Sequence, residues 1–169
     1  IGTDPSVPFQ VKWNTSNRLL DLNQTEKAIE ILYDIGTDPS VPFQVKWNTS
    51  NRLLDLNQTE KAAEILYDIG TDPSVPFQLK WNIPKSLLDL NQTEKAAEIL
   101  YEICTDPSVP FQVKWNTSNR LLDLNQTEKA AEILYEICTD PSVPFQVKWN
   151  TSNRLLDLNQ TEKAAEILY

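Results

Sequence analysis

The sequence contains no histidine and no methionine, and only 3 glycines and 2 cysteines among 169 residues. Without histidine there is no imidazole to act as a general base near neutral pH or to join a thiolate in a zinc site. Three glycines cannot build a glycine-rich phosphate cradle, and no nucleotide-binding signature is present. No apolar run approaches the ~18 residues of a membrane span. No secretory or transit pattern is visible either. Positive charge is also scarce: 15 Lys and Arg stand against 24 Asp and Glu, for a net charge of −9. Phosphate neutralisation needs the opposite balance, so neither nucleic acid nor an anionic membrane is an expected partner, and a basic one is. The expectation is a chain without metal, cofactor or catalysis.

What is present is repetition. The stretch TDPSVPFQVKWN begins at Thr3 and returns at Thr37, Thr71, Thr105 and Thr139, with one change at Leu79. Trp13, Trp47, Trp81, Trp115 and Trp149 are 34 residues apart, as are Ala28, Ala62, Ala96, Ala130 and Ala164. Such short units cannot bury an apolar face alone and stack into a continuous core. The expected organisation is one array over residues 1–169, with repeats at about 1–34, 35–68, 69–102, 103–136 and 137–169. Five equivalent copies of every side chain offer no unique cleft, which also argues against an enzyme.

Within a repeat, NQTEKAAEIL predicts a helix B over about Gln24 to Ile35. Asn23 with Glu26 three residues on resembles a capping box, and Ala28, Ile31, Leu32 and Ile35 form an i, i+3, i+4, i+7 stripe. Glu26, Glu30 and Asp34 fall on another face and read as a solvated row.

Upstream, Val7, Phe9, Val11 and Trp13 alternate as in a half-buried strand. A helical wheel accounts for more. Gln10, Asn14, Asn17 and Asp21 gather on one side, opposite Phe9, Val11, Trp13, Ser16, Leu19, Leu20 and Leu22, with Lys12 and Thr15 intruding. This predicts a helix A from about Val7 to Leu22, capped by Ser6 with Pro8 in its first turn, and a tight turn at Asn23. Ten helices are expected, two per repeat. In the third repeat Pro84 falls in mid-helix, where proline typically costs ~3 kcal/mol, so that helix A should bend or shorten. Cys104 and Cys138 occupy the place of Gly36 and Gly70. The backbone there should therefore be ordinary helix or turn. Equivalent elements of neighbouring repeats lie roughly 8–10 Å apart or more, too far for a disulfide, so both thiols should be free. Nearby acids should raise their pKa. Free thiols, together with NTS and NQT sequons that glycans would make uncomfortable, point to the cytoplasm.

The period of 34 and the segment NQTEKAAEIL resemble the tetratricopeptide repeat. The order DPSVPF, VK, LLDLNQTEKAAEIL is similar to HEAT-type repeats in the sensor arrays of bacterial STAND-class NTPases. Both resemblances imply an all-α, right-handed α-solenoid of helix–turn–helix repeats that binds protein. The second implies a peptide-binding sensor segment of a signalling protein. Locally, WNTSN is similar to the Trp and Asn ladder by which armadillo arrays hold extended peptides. That likeness implies peptide-binding pairs at Trp13 and Asn17, Trp47 and Asn51, Trp115 and Asn119, and Trp149 and Asn153, with Trp81 and Lys85 in the third repeat. The alternative is that each Trp packs against the next repeat. Near-identity between repeats points to an engineered or excised interaction scaffold. Because apolar positions such as Phe9, Val11, Ile167 and Leu168 recur in the first and last repeats without polar replacement, head-to-tail stacking is also expected.

Overall fold

The computed structural model describes Gly2 and residues 4–169, and among these residues all regular structure is helical. In chain order the helices are α1 (Phe9–Asp21), α2 (Thr25–Thr37), α3 (Phe43–Asp55), α4 (Thr59–Thr71), α5 (Phe77–Lys80), α6 (Ile83–Asp89), α7 (Thr93–Thr105), α8 (Phe111–Asp123), α9 (Thr127–Thr139), α10 (Phe145–Asp157) and α11 (Thr161–Leu168). The strand alternative for FQVKW is excluded, since that segment opens an α-helix in α1, α3, α8 and α10. The count exceeds ten because the third helix A is split. α5 stops at Lys80 and α6 restarts at Ile83, which puts Pro84 in a first turn instead of a helix interior. Ile83 and Pro84 are both buried.

The chain forms two units, one of residues 1–76 with 85–92, the other of residues 77–84 with 93–169. In the first, α1 packs on α2, α2 on α3, and α3 on α4, while α2 also meets α4. In the second, α8 packs on α9, α9 on α10, and α10 on α11, with α7 against α8 and both α7 and α11 against α9. Each unit is thus a stack of helical hairpins in which B helices touch the B helices of neighbouring repeats.

The hairpin turn is set by one residue. Leu22, Asn23 and Gln24 donate their amides to the carbonyls of Arg18, Leu20 and Leu19, the last at 2.8 Å, a pattern that closes helix A with its C′ residue left-handed. Asn23, Asn57, Asn91, Asn125 and Asn159 hold that place, with φ between 55 and 59°. Asn is among the few residues that tolerate it. The capping box does not form: Asn23 terminates α1, and Gln24 caps α2 without a side-chain hydrogen bond.

The entry to helix A also differs from expectation. Asp4 Oδ1 accepts from the Ser6 amide at 2.9 Å and from its hydroxyl at 2.6 Å, so Ser6 supports a turn and caps nothing. Pro8 is itself the cap residue, and its carbonyl accepts from the amides of Val11 and Lys12. The same turn recurs at Asp38 with Ser40, Asp106 with Ser108 and Asp140 with Ser142. These hydrogen bonds hold the Asp4, Asp38, Asp106 and Asp140 carboxyls below their usual pKa.

The core follows the predicted stripe: Ala28, Ile31, Leu32 and Ile35 are buried, as are Ala130, Ile133, Leu134 and Ile137. Polar residues of helix A are also inside. Lys12 is only 3% exposed, with its ammonium on Asp34 Oδ2 at 2.5 Å. Thr49 and Ser50 are buried and return their hydroxyls to the Val45 and Trp47 carbonyls, so burial leaves neither donor unanswered. Gly36 and Gly70 lie in helices, with no positive φ, as do Cys104 and Cys138. At Gly36 a Cβ would meet the end of the Ile65 side chain, which would have to shift; the equivalent position holds a side chain at Cys104 and Cys138. Both cysteines are free and buried.

Candidate ligand groove between A helices

Successive A helices within a unit approach loosely and leave a groove. In the first unit Phe9, Gln10, Trp13 and Asn14 of α1 face Val45 and Asn48 of α3 around about 380 Å³. Beside it Trp13 and Asn17 of α1 face Asn48, Asn51, Arg52 and Asp55 of α3 around about 430 Å³. The second unit repeats the first of these, with Phe111, Gln112, Trp115 and Asn116 of α8 facing Val147 and Asn150 of α10 around about 440 Å³. The floor is aromatic and aliphatic, and the rims carry carboxamides.

The predicted residues divide. Trp13, Asn17 and Asn51 share one groove. Trp115 lines the counterpart of the other groove, with Asn116 and Asn150, as Trp13 does with Asn14 and Asn48. Asn119 is half-buried and Asn153 exposed. Trp47 is half-buried, and its carbonyl receives Ser50. Trp149 is 47% exposed. Trp81 stands at the break in the third helix A, and Lys85 is exposed on α6. The ladder pattern missed Asn14, Asn48, Asn116 and Asn150, although the polar row through Gln10, Asn14 and Asn17 already carried that signal.

The tryptophans also meet the following repeat. The Arg120 guanidinium carbon lies 5.9 Å from the centre of the Trp81 ring, in cation–π range. Trp13 and Arg52, the same two repeat positions, line one groove in the first unit. The Nε–H of Arg52 is buried without an acceptor.

The acidic row on helix B is engaged as well as solvated. The Tyr33 hydroxyl donates to Glu64, Tyr101 to Glu132 and Tyr135 to Glu166, at 2.6 to 2.7 Å. Lys61 Nζ sits 5.8 Å from the centre of the Tyr33 ring. Lys114 pairs with Glu136 at 3.4 Å. A concavity of about 460 Å³ on this side is lined by Tyr101, Asn125, Gln126, Lys129 and Glu132.

The cysteines are poor nucleophiles. Burial pushes the Cys104 thiol up to about 11, against the lowering effects of Thr117 and Lys114, and burial also raises Cys138. The expected cause, nearby acid, is the minor one: Glu136 contributes least at Cys104. Among the described residues no helix is long and apolar enough to cross a membrane. No family model matches the chain, and comparison with curated proteins and with solved structures gives no match.

Proposed function

We propose that the chain is a non-catalytic protein-interaction scaffold, an array of repeats akin to tetratricopeptide or HEAT-type units, whose groove between A helices holds an extended peptide. The observation that carries this reading is recurrence: Phe9, Gln10, Trp13 and Asn14 with Val45 and Asn48 reappear as Phe111, Gln112, Trp115 and Asn116 with Val147 and Asn150. A shallow groove that recurs at a multiple of the repeat offers one kind of contact many times over. That suits a chain-like ligand better than a small substrate, which needs an enclosed and unique pocket. Carboxamides on the rim match the donors and acceptors of a peptide backbone. Asp55 on the wall and the net charge of −9 favour a basic peptide.

Calorimetric titration with matched extended peptides, one set rich in Lys and Arg and the other in Glu, tests the proposal. Saturable binding of the basic set, weakened by Asn48→Ala, is expected. Equal silence from both sets sinks the peptide reading, and turnover of any substrate sinks the non-catalytic one.

A further inference from the structure

Both sides of the junction between repeats occur once filled and once open. In the second unit Phe111, Trp115 and Leu122 of α8 are half-buried, and α10 follows them. Their counterparts on α10, Phe145, Trp149 and Leu156, are 79%, 47% and 41% exposed. Leu168 is 48% exposed, where its counterpart Leu134 is fully buried. On the opposite side, Val45, Arg52, Leu56 and Lys61 of the second repeat are half-buried, whereas Val11, Arg18, Leu22 and Lys27 of the first are exposed. Leu22 is 68% exposed.

These open faces are the two halves of one established junction. Inside the first unit that junction sets Phe9, Trp13 and Val45 against one buried cluster, ties Tyr33 to Glu64 and sets Lys61 over the Tyr33 ring. Inside the second, an arginine lies over a tryptophan of the preceding repeat. Every participant has an uncovered counterpart on an open face. Tyr169 matches Tyr33, Glu30 matches Glu64, Lys27 matches Lys61, Val11 matches Val45 and Trp149 matches Trp13.

We propose that a second copy of this 169-residue chain docks head to tail. Its Val11 would enter between Phe145 and Trp149, its Arg18 would cover Trp149, and its Glu30 would accept the Tyr169 hydroxyl. The occupant follows from continuity, because the surface that fits is the one a following repeat already presents within each unit. A head-to-tail face leaves one free face at each end of the pair, so growth is open-ended.

Sedimentation equilibrium of the whole chain across a wide concentration range tests this. The average mass should climb past that of a dimer. Phe145→Glu with Trp149→Glu blocks one face, and Val11→Glu with Leu22→Glu blocks the other. All four positions are exposed, so helical circular dichroism should be unchanged. Each double variant alone should be monomeric, and their mixture should give a one-to-one pair and nothing larger. A wild-type chain that stays monomeric at every concentration overturns the proposal. So does a double variant that still pairs with itself, which would mean symmetric face-to-face association, or a mixture that fails to pair.

Discussion

The Tyr33 hydroxyl donates to Glu64 Oε2 at 2.6 Å, 31 residues further along the chain, and so ties one helix B to the next. Tyr101 makes the same bond to Glu132, and that bond, with burial and the Glu132 charge adding to it, raises the Tyr101 pKa from 10.0 to about 12. Losing the proton therefore costs more in the folded chain than in the unfolded one. The linked stability is fully present below pH 10 and is lost as the pH rises towards 12. Thermal melts across this window should show the decline. Glu132→Ala should return the Tyr101 titration, followed by tyrosinate absorbance, towards 10 and should flatten its share of the loss.

Asn57 holds the hairpin turn of the second repeat at φ 59°. Asn57→Ala should destabilise by about 1–2 kcal/mol, the usual cost of a left-handed Cβ. Asn57→Gly should be nearly neutral. Urea unfolding of the two variants separates backbone strain from loss of the carboxamide, and equal losses would mean that the side chain matters more than the backbone.

Pro84 was expected to burden the third repeat, but the helix break at Trp81 and Asn82 puts it in the first turn of α6. Pro84→Ser should therefore change stability by less than about 1 kcal/mol, well short of the ~3 kcal/mol of an interior proline. Ile83 is fully buried where other repeats carry a threonine. Ile83→Thr should cost about 1–2 kcal/mol, because it removes apolar burial and inserts a hydroxyl. Grafting TSNR into residues 83–86 sums these opposing effects, so the gain expected from a continuous helix shrinks. A gain of several kcal/mol would show that the break itself is costly.

The hairpin was legible because the wheel of helix A keeps Gln10, Asn14 and Asn17 together across the part that alternates like a strand. Pro84 signalled its own break. The caps were not legible. Asn23 followed by Glu26 spells a capping box, yet the same Asn is also the best residue for a left-handed turn, and hairpin closure claims it first. Ser6 lost its cap to the same kind of competition, since Asp4 takes both its donors. At the groove, helical spacing placed Trp13 and Asn17 on one face, but the rim on α3 depends on how two helices meet. No single-helix pattern states that Asn48 faces both Trp13 and Asn14. The Tyr33 to Glu64 tie was hidden for the same reason.

The proposed peptide would lie along the grooves between A helices. An amide and side-chain carboxamide chemical-shift map, recorded while an extended Lys- and Arg-rich peptide is titrated into the whole chain, would locate it. Saturable shifts are expected at Asn14, Asn17, Asn48 and Asn51, repeated at Asn116 and Asn150, with the tryptophan indole signals of Trp13 and Trp115 moving in step. Shifts confined to the helix B side around Tyr101 and Glu132, or none that saturate, would contradict the proposal.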